Sequence, residues 1–538
     1  MTTTALRSSC PASRPAPPLA ALFLLAACSG GTTRDPATVG GTVTGLDGTL
    51  VLALNGETVT LTADGPFSFS TPVAAGKAFA VTVADKPNLQ TCVLSGASGT
   101  AQAGATIQVE VTLRDLGFFR ADDGTDGFEL WATDGTAVGT GRVLDVNPGA
   151  GSSTPYAFHV HDDHVWFRAD DGVNGPELWR SDGTAAGTVM VADVNPGANG
   201  SSPLHLRSYD GDVFFSGLTA AEGFELWRSD GTPAGTTLVK DMFPGPDSGA
   251  PQEMALFEDE IYYYARDALS NSELWKSDGT ALGTNQLSDI HPTADAWTYE
   301  MTEVGGVLVF RAVDPALGTE LFRTDGTPAG TVLLADLNPG AGSSTPWILT
   351  PYDGRVLFRA TGPDGLELWA TDGTAGGTGV VLDINPGAAG SNPHSFCVHE
   401  GLFFFTADDG VSGDELWRTD GTAGGTARVI DLEAGADGSF PTSLRSLPTG
   451  IVFEADHPTS GRELYVTDGT AGGTQLLLDI NPGAADSDVQ AFERVGDALI
   501  FVADDGTHGY EWWRTDGTPE GTFLLVDACP GACDGAPH

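Results

Sequence analysis

Basic residues are scarce: 25 Lys plus Arg stand against 72 Asp plus Glu in 538 residues, a formal net charge of −47. A surface this acidic repels phosphate backbones and anionic headgroups, so sequence-independent binding of nucleic acid is excluded as a function. Cysteine is also rare, at six, which rules out a disulfide-dense miniature fold. Long apolar runs are missing after the first 27 residues, so no later segment is expected to span a membrane as a helix. Gly (72) and Pro (33), by contrast, are plentiful, and with 41% hydrophobic residues they describe a turn-rich chain able to build a core. The length calls for several domains or one large repetitive one.

Residues 1–27 carry Arg7 and Arg14, no acidic residue, and the nine-residue apolar run from Leu19 to Ala27. That is a secretory leader, too short to cross a bilayer. It ends in Leu25-Ala26-Ala27-Cys28, which resembles the lipobox of bacterial lipoproteins. The resemblance implies cleavage before Cys28 and lipid attachment there, with 28–38 as a tether. Ser29 after the cysteine implies sorting to the outer membrane, facing the periplasm or the cell surface. The expected partners are therefore the membrane, through the lipid anchor, and an unidentified macromolecule or polymer, with the chain itself a monomer.

Export implies an oxidising setting for Cys92, Cys397, Cys529 and Cys533. Three pairings are open. The favoured one joins Cys529 to Cys533 as a clip on the C-terminal turn, and the alternative is a metal-binding thiol pair.

From Val39 to about Leu113, short alternating β-branched runs such as Leu50–Leu54 predict a small β-sandwich, placed at 39–115 and read as a spacer. Its segments are similar to an Ig-like module of bacterial surface lipoproteins, in which a cysteine of the last strand closes a disulfide. Here the last run, Thr106 to Leu113, has no cysteine, which leaves Cys92 without that partner.

The remainder, 116–538, repeats itself. The aromatic of Glu129-Leu-Trp-Ala-Thr-Asp-Gly-Thr136 returns at Trp131, Trp179, Trp227, Trp275, Phe322, Trp369, Trp417, Tyr465 and Trp513, in steps of 47 or 48. Each unit reads as four short strands with tight turns, the size of a propeller blade. The expected fold is all-β, a β-propeller of eight or nine four-stranded blades, with an open β-solenoid as the alternative. The first unit has no evident innermost strand of its own, and Thr106 to Leu113 would serve either it or the sandwich. These units resemble the bacterial ELWxxDGT repeat family, known chiefly from exported proteins of myxobacteria and their relatives. The resemblance implies export and surface display, and brings no activity.

Three acidic positions occur in all nine units: Glu129 to Glu511, Asp134 to Asp516, and Asp145 to Asp527. Recurrence in every unit points to a role each blade needs. For the Asp before Gly that role is to cap a turn. Four units add Asp122-Asp123-Gly124, Asp170-Asp171-Gly172, Asp408-Asp409-Gly410 and Asp504-Asp505-Gly506, whose carboxylates suit a hard cation such as calcium, or else a solvated turn. His159, His161 and His164 break the repeat with imidazoles, as Cys397 and His399 do in a later unit, and soft-metal binding is weighed there against a chance cluster at a turn. No Gly-x-Ser-x-Gly elbow, His-Glu-x-x-His or phosphate-binding Gly loop is present, and no catalytic residue stands out. The favoured function is a surface-anchored binding or scaffolding module. The alternatives are an exported hydrolase or oxidoreductase with a site in the channel, and an acidic, cation-binding surface coat.

Overall fold

The computed structural model describes residues 35–268, 271–531 and 533–537; the leader and Cys28 lie outside them. Thr38–Thr44 pairs in parallel with Thr106–Asp115, and with Gly65–Ser68 and Gln90–Ser95 they make a four-stranded sheet. A three-stranded sheet of Glu57–Leu61, Leu50–Leu54 and Thr82–Asp85 belongs to the same unit. Alternation along the strands sends Val39, Val43, Leu50, Leu52, Leu54, Val109 and Val111 inward, and these form one core.

Nine antiparallel sheets follow: blades 1 to 9 at 117–144, 156–192, 204–240, 252–286, 299–335, 347–382, 394–428, 442–478 and 490–526. The fold is an all-β propeller. Blades 2 to 9 have four strands in sequence order, and blade 1 has three, because Thr106–Asp115 is taken by the sandwich. Eight inner strands therefore serve nine sheets.

The same apolar pair builds each interface. The Leu of one blade's Glu-Leu-Trp strand clusters with the aromatic of the next: Leu130 with Trp179, Leu178 with Trp227, Leu321 with Trp369, Leu464 with Trp513. Middle strands are covered on both sides, which is why runs such as Phe403-Phe404-Phe405 are wholly apolar and buried. The ring closes by the same rule with one change. Trp512 occupies the Leu position and meets Trp131 and Phe119 of blade 1, its ring 4.6 Å from that of Phe119 and its Nε1 donating to the Arg120 carbonyl at 3.2 Å. This closure excludes the open solenoid.

Backbone bonds repeat as faithfully as the apolar contacts. Asp170, Leu218, Arg266, Val313, Thr361, Asp408, Asp456 and Asp504 each donate their N–H to the connection entering their own blade, and Asp122 donates to the carbonyl of Gly535 at 2.9 Å. The sandwich rests against blades 1 and 2 on the face carrying the Asp-Gly-Thr turns. Leu116 donates to the Leu89 carbonyl, Thr91 Oγ1 to Asp134 Oδ2, and Leu89 packs with Phe118.

Candidate functional site

Two of the three recurrent carboxylates hold the blade together. Glu129 is fully buried and accepts from the backbone N–H of Val146 (2.7 Å) and Ser153 (2.9 Å) and from the Ser153 hydroxyl (2.7 Å), pinning the connection to the next blade. Burial raises the pKa of each such Glu, and for Glu129, Glu177 and Glu367 the nearby Asp145, Asp193 and Asp383 add to it. Where the serine is replaced, by Gly249, Ala296 and Gly535, the partner carboxyls Glu225, Glu273 and Glu511 are pushed up to about 7. Glu463 is also pushed up to about 7.

The Asp-Gly-Thr aspartate caps its own turn. Asp182 accepts from the backbone (2.8 Å) and hydroxyl (2.7 Å) of Thr184, and Thr188 returns a hydroxyl bond to the Thr184 carbonyl (2.7 Å). Gly183 supplies the left-handed φ of +90°, and a Cβ on Gly187 would stand 2.1 Å from the Asp182 carboxyl carbon, so both glycines are obligatory. The third series differs: Oδ1 of Asp145, Asp241, Asp336, Asp383, Asp479 and Asp527 is buried without a hydrogen-bond partner. Turn capping does not account for that series.

The four Asp-Asp-Gly segments are likewise engaged with their own loops. Asp122 and Asp170 accept from Gly124 and Gly172; Asp123 accepts from Thr125 and Asp126, and Asp171 from Val173 and Asn174. Asp408 and Asp409 do the same with Gly410, Val411 and Ser412, and Asp504 and Asp505 with Gly506, Thr507 and His508.

His159 and His161 both reach from the inner strand of blade 2 to blade 3, His159 Nε2 to Ser208 Oγ of its inner strand at 2.6 Å and His161 Nε2 to the carbonyl of Gly211 in the following turn at 3.2 Å. His164 lies across the hairpin from His161. Burial, chiefly, lowers the pKa of His159 and of His164. In blade 7, His399 Nδ1 meets Ser446 Oγ at 2.9 Å, and burial pushes the Cys397 thiol up to about 11. Among the described residues no three His, Cys, Asp or Glu side chains gather as a metal site. Cys529 and Cys533 are joined in a disulfide with Cα atoms 5.7 Å apart, while Cys92 and Cys397 are free thiols.

A different feature departs from the repeat on the opposite face, where the connections enter the inner strands. The residue two before each inner strand has left-handed φ: Thr154, Ser202, Ala250, Trp297, Thr345, Asn392, Phe440 and Asp488, all between 44° and 49°. At 297 this position carries a tryptophan, 47% exposed. Its ring stacks with Tyr264 (5.7 Å, 16°) and Tyr299 (6.2 Å, 23°), and Tyr264 stacks with Tyr299 (5.2 Å, 29°). Tyr299 pairs across the hairpin with Arg311, whose guanidinium lies 5.2 Å from the Tyr299 ring centroid and 3.9 Å from that of Trp347, itself 38% exposed. Trp347 pairs in turn with Arg359. Blades 4 to 6 thus share a continuous arc of aromatic and guanidinium planes. Arg311 Nε is buried without a hydrogen-bond partner, and burial lowers the pKa of both Arg311 and Arg359.

Sequence reasoning passed over this arc because the recurrent tryptophan drew the comparison to the third strand. Aligning the units two residues before the inner strand exposes it: Trp297 stands among Thr154, Ser202, Ala250, Thr345, Asn392 and Asp488, with Phe440 the other aromatic.

No family model matches this chain, and no curated protein matches it. Among solved structures it is similar to a puromycin hydrolase (16% identity, 72% of this chain and 62% of that one, TM-score 0.34). It is similar also to a prolyl endopeptidase (12%, 60% and 49%, TM-score 0.37) and to Sqt1 of Saccharomyces cerevisiae (14%, 69% and 95%, TM-score 0.36). The chain spans less than two thirds of the length of the two hydrolytic enzymes. None of the three is alike enough to transfer an activity.

Proposed function

We propose that the chain is an exported, lipid-anchored binding module whose propeller holds its ligand on the face where the connections enter the inner strands. The observation that carries this reading is the exposed arc of Trp297, Tyr299, Arg311 and Trp347. Two recurrent carboxylate series are consumed by turns and connections, whereas the arc meets no need of the fold, since the six blades outside 4 to 6 do without it. Exposed aromatics around a guanidinium are the composition of an interaction centre. The leader and Cys28 support display at a membrane, and Cys28→Ser is expected to release the protein from the membrane fraction into the soluble one. Binding is tested by co-sedimenting the purified full chain with isolated cell-envelope fragments and insoluble polysaccharides. Wild type is expected in the pellet and the Trp297→Ala/Trp347→Ala double variant in the supernatant, and equal partition of the two sinks the reading.

A second reading, an exported hydrolase, has one observation in its favour: the hydroxyl–imidazole pairs Ser208–His159 and Ser446–His399 on the inner strands. It requires covalent labelling by a fluorophosphonate that Ser208→Ala or Ser446→Ala removes. Absence of labelling in the wild type overturns it.

A further inference from the structure

Building on the reading of the propeller as a binding module, we infer that the arc across blades 4 to 6 is a saccharide site, and that its ligand is a neutral glycan chain. The rings of exposed Trp297 and half-buried Tyr299 lie 23° apart, backed by the stacked ring of buried Tyr264, and give a platform for the apolar C–H face of a pyranose. Trp347 offers a second exposed ring in the next blade, with Arg311 seated between them. Two rings on adjacent blades fit a chain of sugars better than a single one.

The polar groups around the platform suit hydroxyls, which both donate and accept. Arg311 and Arg359 donate: Arg311 Nε is buried with no acceptor, and Arg359 Nη1 donates to Asn392 Oδ1 at 3.3 Å. Glu300, near enough to act on both guanidinium groups, accepts the Leu349 N–H through Oε2 at 2.9 Å and has Oε1 left to accept a hydroxyl. Charge selects among glycans. A net charge of −47 repels uronates, sulfates and teichoic polymers. A polycation would meet two guanidinium groups at the centre of the arc. A neutral chain suffers neither repulsion.

The conformation of Trp297 adds weight. Left-handed backbone at a bulky non-glycine residue is uncommon and costs free energy, and the same position holds Thr, Ser, Ala, Asn or Asp in six of the other seven blades that have it, with Phe440 in blade 8 as the second aromatic. The indole at 297 stacks on Tyr264 and Tyr299 and still leaves 47% of its residue surface exposed, available to a ligand.

Affinity electrophoresis of the full chain in detergent, through gels containing soluble neutral glucan, galactomannan or xyloglucan, tests this. At least one of these polymers is expected to retard the wild type. Trp297→Ala, Trp347→Ala and Arg311→Met should each weaken that retardation about tenfold or more, while Trp297→Tyr keeps most of it. Phe440→Ala, an exposed aromatic at the equivalent position of blade 8, serves as the folded control and is expected to migrate as wild type. Retardation that survives all three substitutions overturns the location. A parallel gel contains polygalacturonate, and retardation in that gel alone overturns the neutral class and leaves the binding module standing. No retardation by any polymer overturns the saccharide ligand, with the co-sedimentation result then deciding the module separately.

Discussion

A carboxylate buried at the centre of every blade is costly unless each of its lone pairs is used, and Glu177 meets that demand with the N–H groups of Val194, Asn195 and Ser201. Glu177→Ala would strand those donors at a point where the chain changes blades. We expect a loss of about 3 kcal/mol or more in denaturant unfolding, since every buried orphan costs on the order of 1–3 kcal/mol. The raised carboxyls make a second prediction. Glu225, Glu273, Glu463 and Glu511 sit near 7 in the folded chain against an ordinary 4.5. Their contribution to stability is complete below pH 4.5 and is lost as pH rises through about 7. Burial lowers His159, His164 and His205, whose contribution is present above the ordinary 6.5 and is lost as pH falls below it, leaving the range above 6.5 to the glutamates. The melting temperature should therefore decline from pH 6.5 to 8. Asp241→Asn removes the negative neighbour of Glu225 and should make that decline shallower, and an unchanged slope would count against the pairing of the two carboxylates.

At the scale of the blade, the strand pattern and the unit length could be read directly, because a repeat writes its interfaces into the chain at fixed steps. The place of Thr106–Asp115 could not. Its alternation fits either a sandwich or a blade, and only its partners Thr38–Thr44 and Gln90–Ser95, remote in sequence, decide between them. The histidines at 159 and 161 were visible as an irregularity, but their partners Ser208 and Gly211 belong to the next unit and come into reach only when the sheets pack. Trp512 shows the reverse case. As a letter it is a lapse from the Leu of the other units, yet in the fold it spans the interface with the blade that lacks an inner strand, against Phe119. Restoring the common residue, Trp512→Leu, is expected to destabilise the ring by about 2 kcal/mol, as large-to-small core changes do. A variant as stable as wild type in thermal melting would show that the extra ring volume is not needed there.

For the whole molecule, the excess of carboxylates sets the response to salt. Self-repulsion at −47 is screened over distances of about 8 Å at physiological ionic strength, so raising NaCl from about 10 mM to about 0.5 M should raise the melting temperature. A flat response would mean that the aspartates are neutralised locally. Ring closure has a dynamic consequence of its own. Blades 1 and 9 share no strand; side chains and the Asp122–Gly535 bond hold them where the covalent chain holds every other pair. A clasp of that kind is the place where thermal fluctuation opens a circle first. Nine amides in equivalent positions, from Asp122 to Asp504, are built-in clocks for it, and in hydrogen exchange the clock at Asp122 should run fastest while its eight counterparts keep common time.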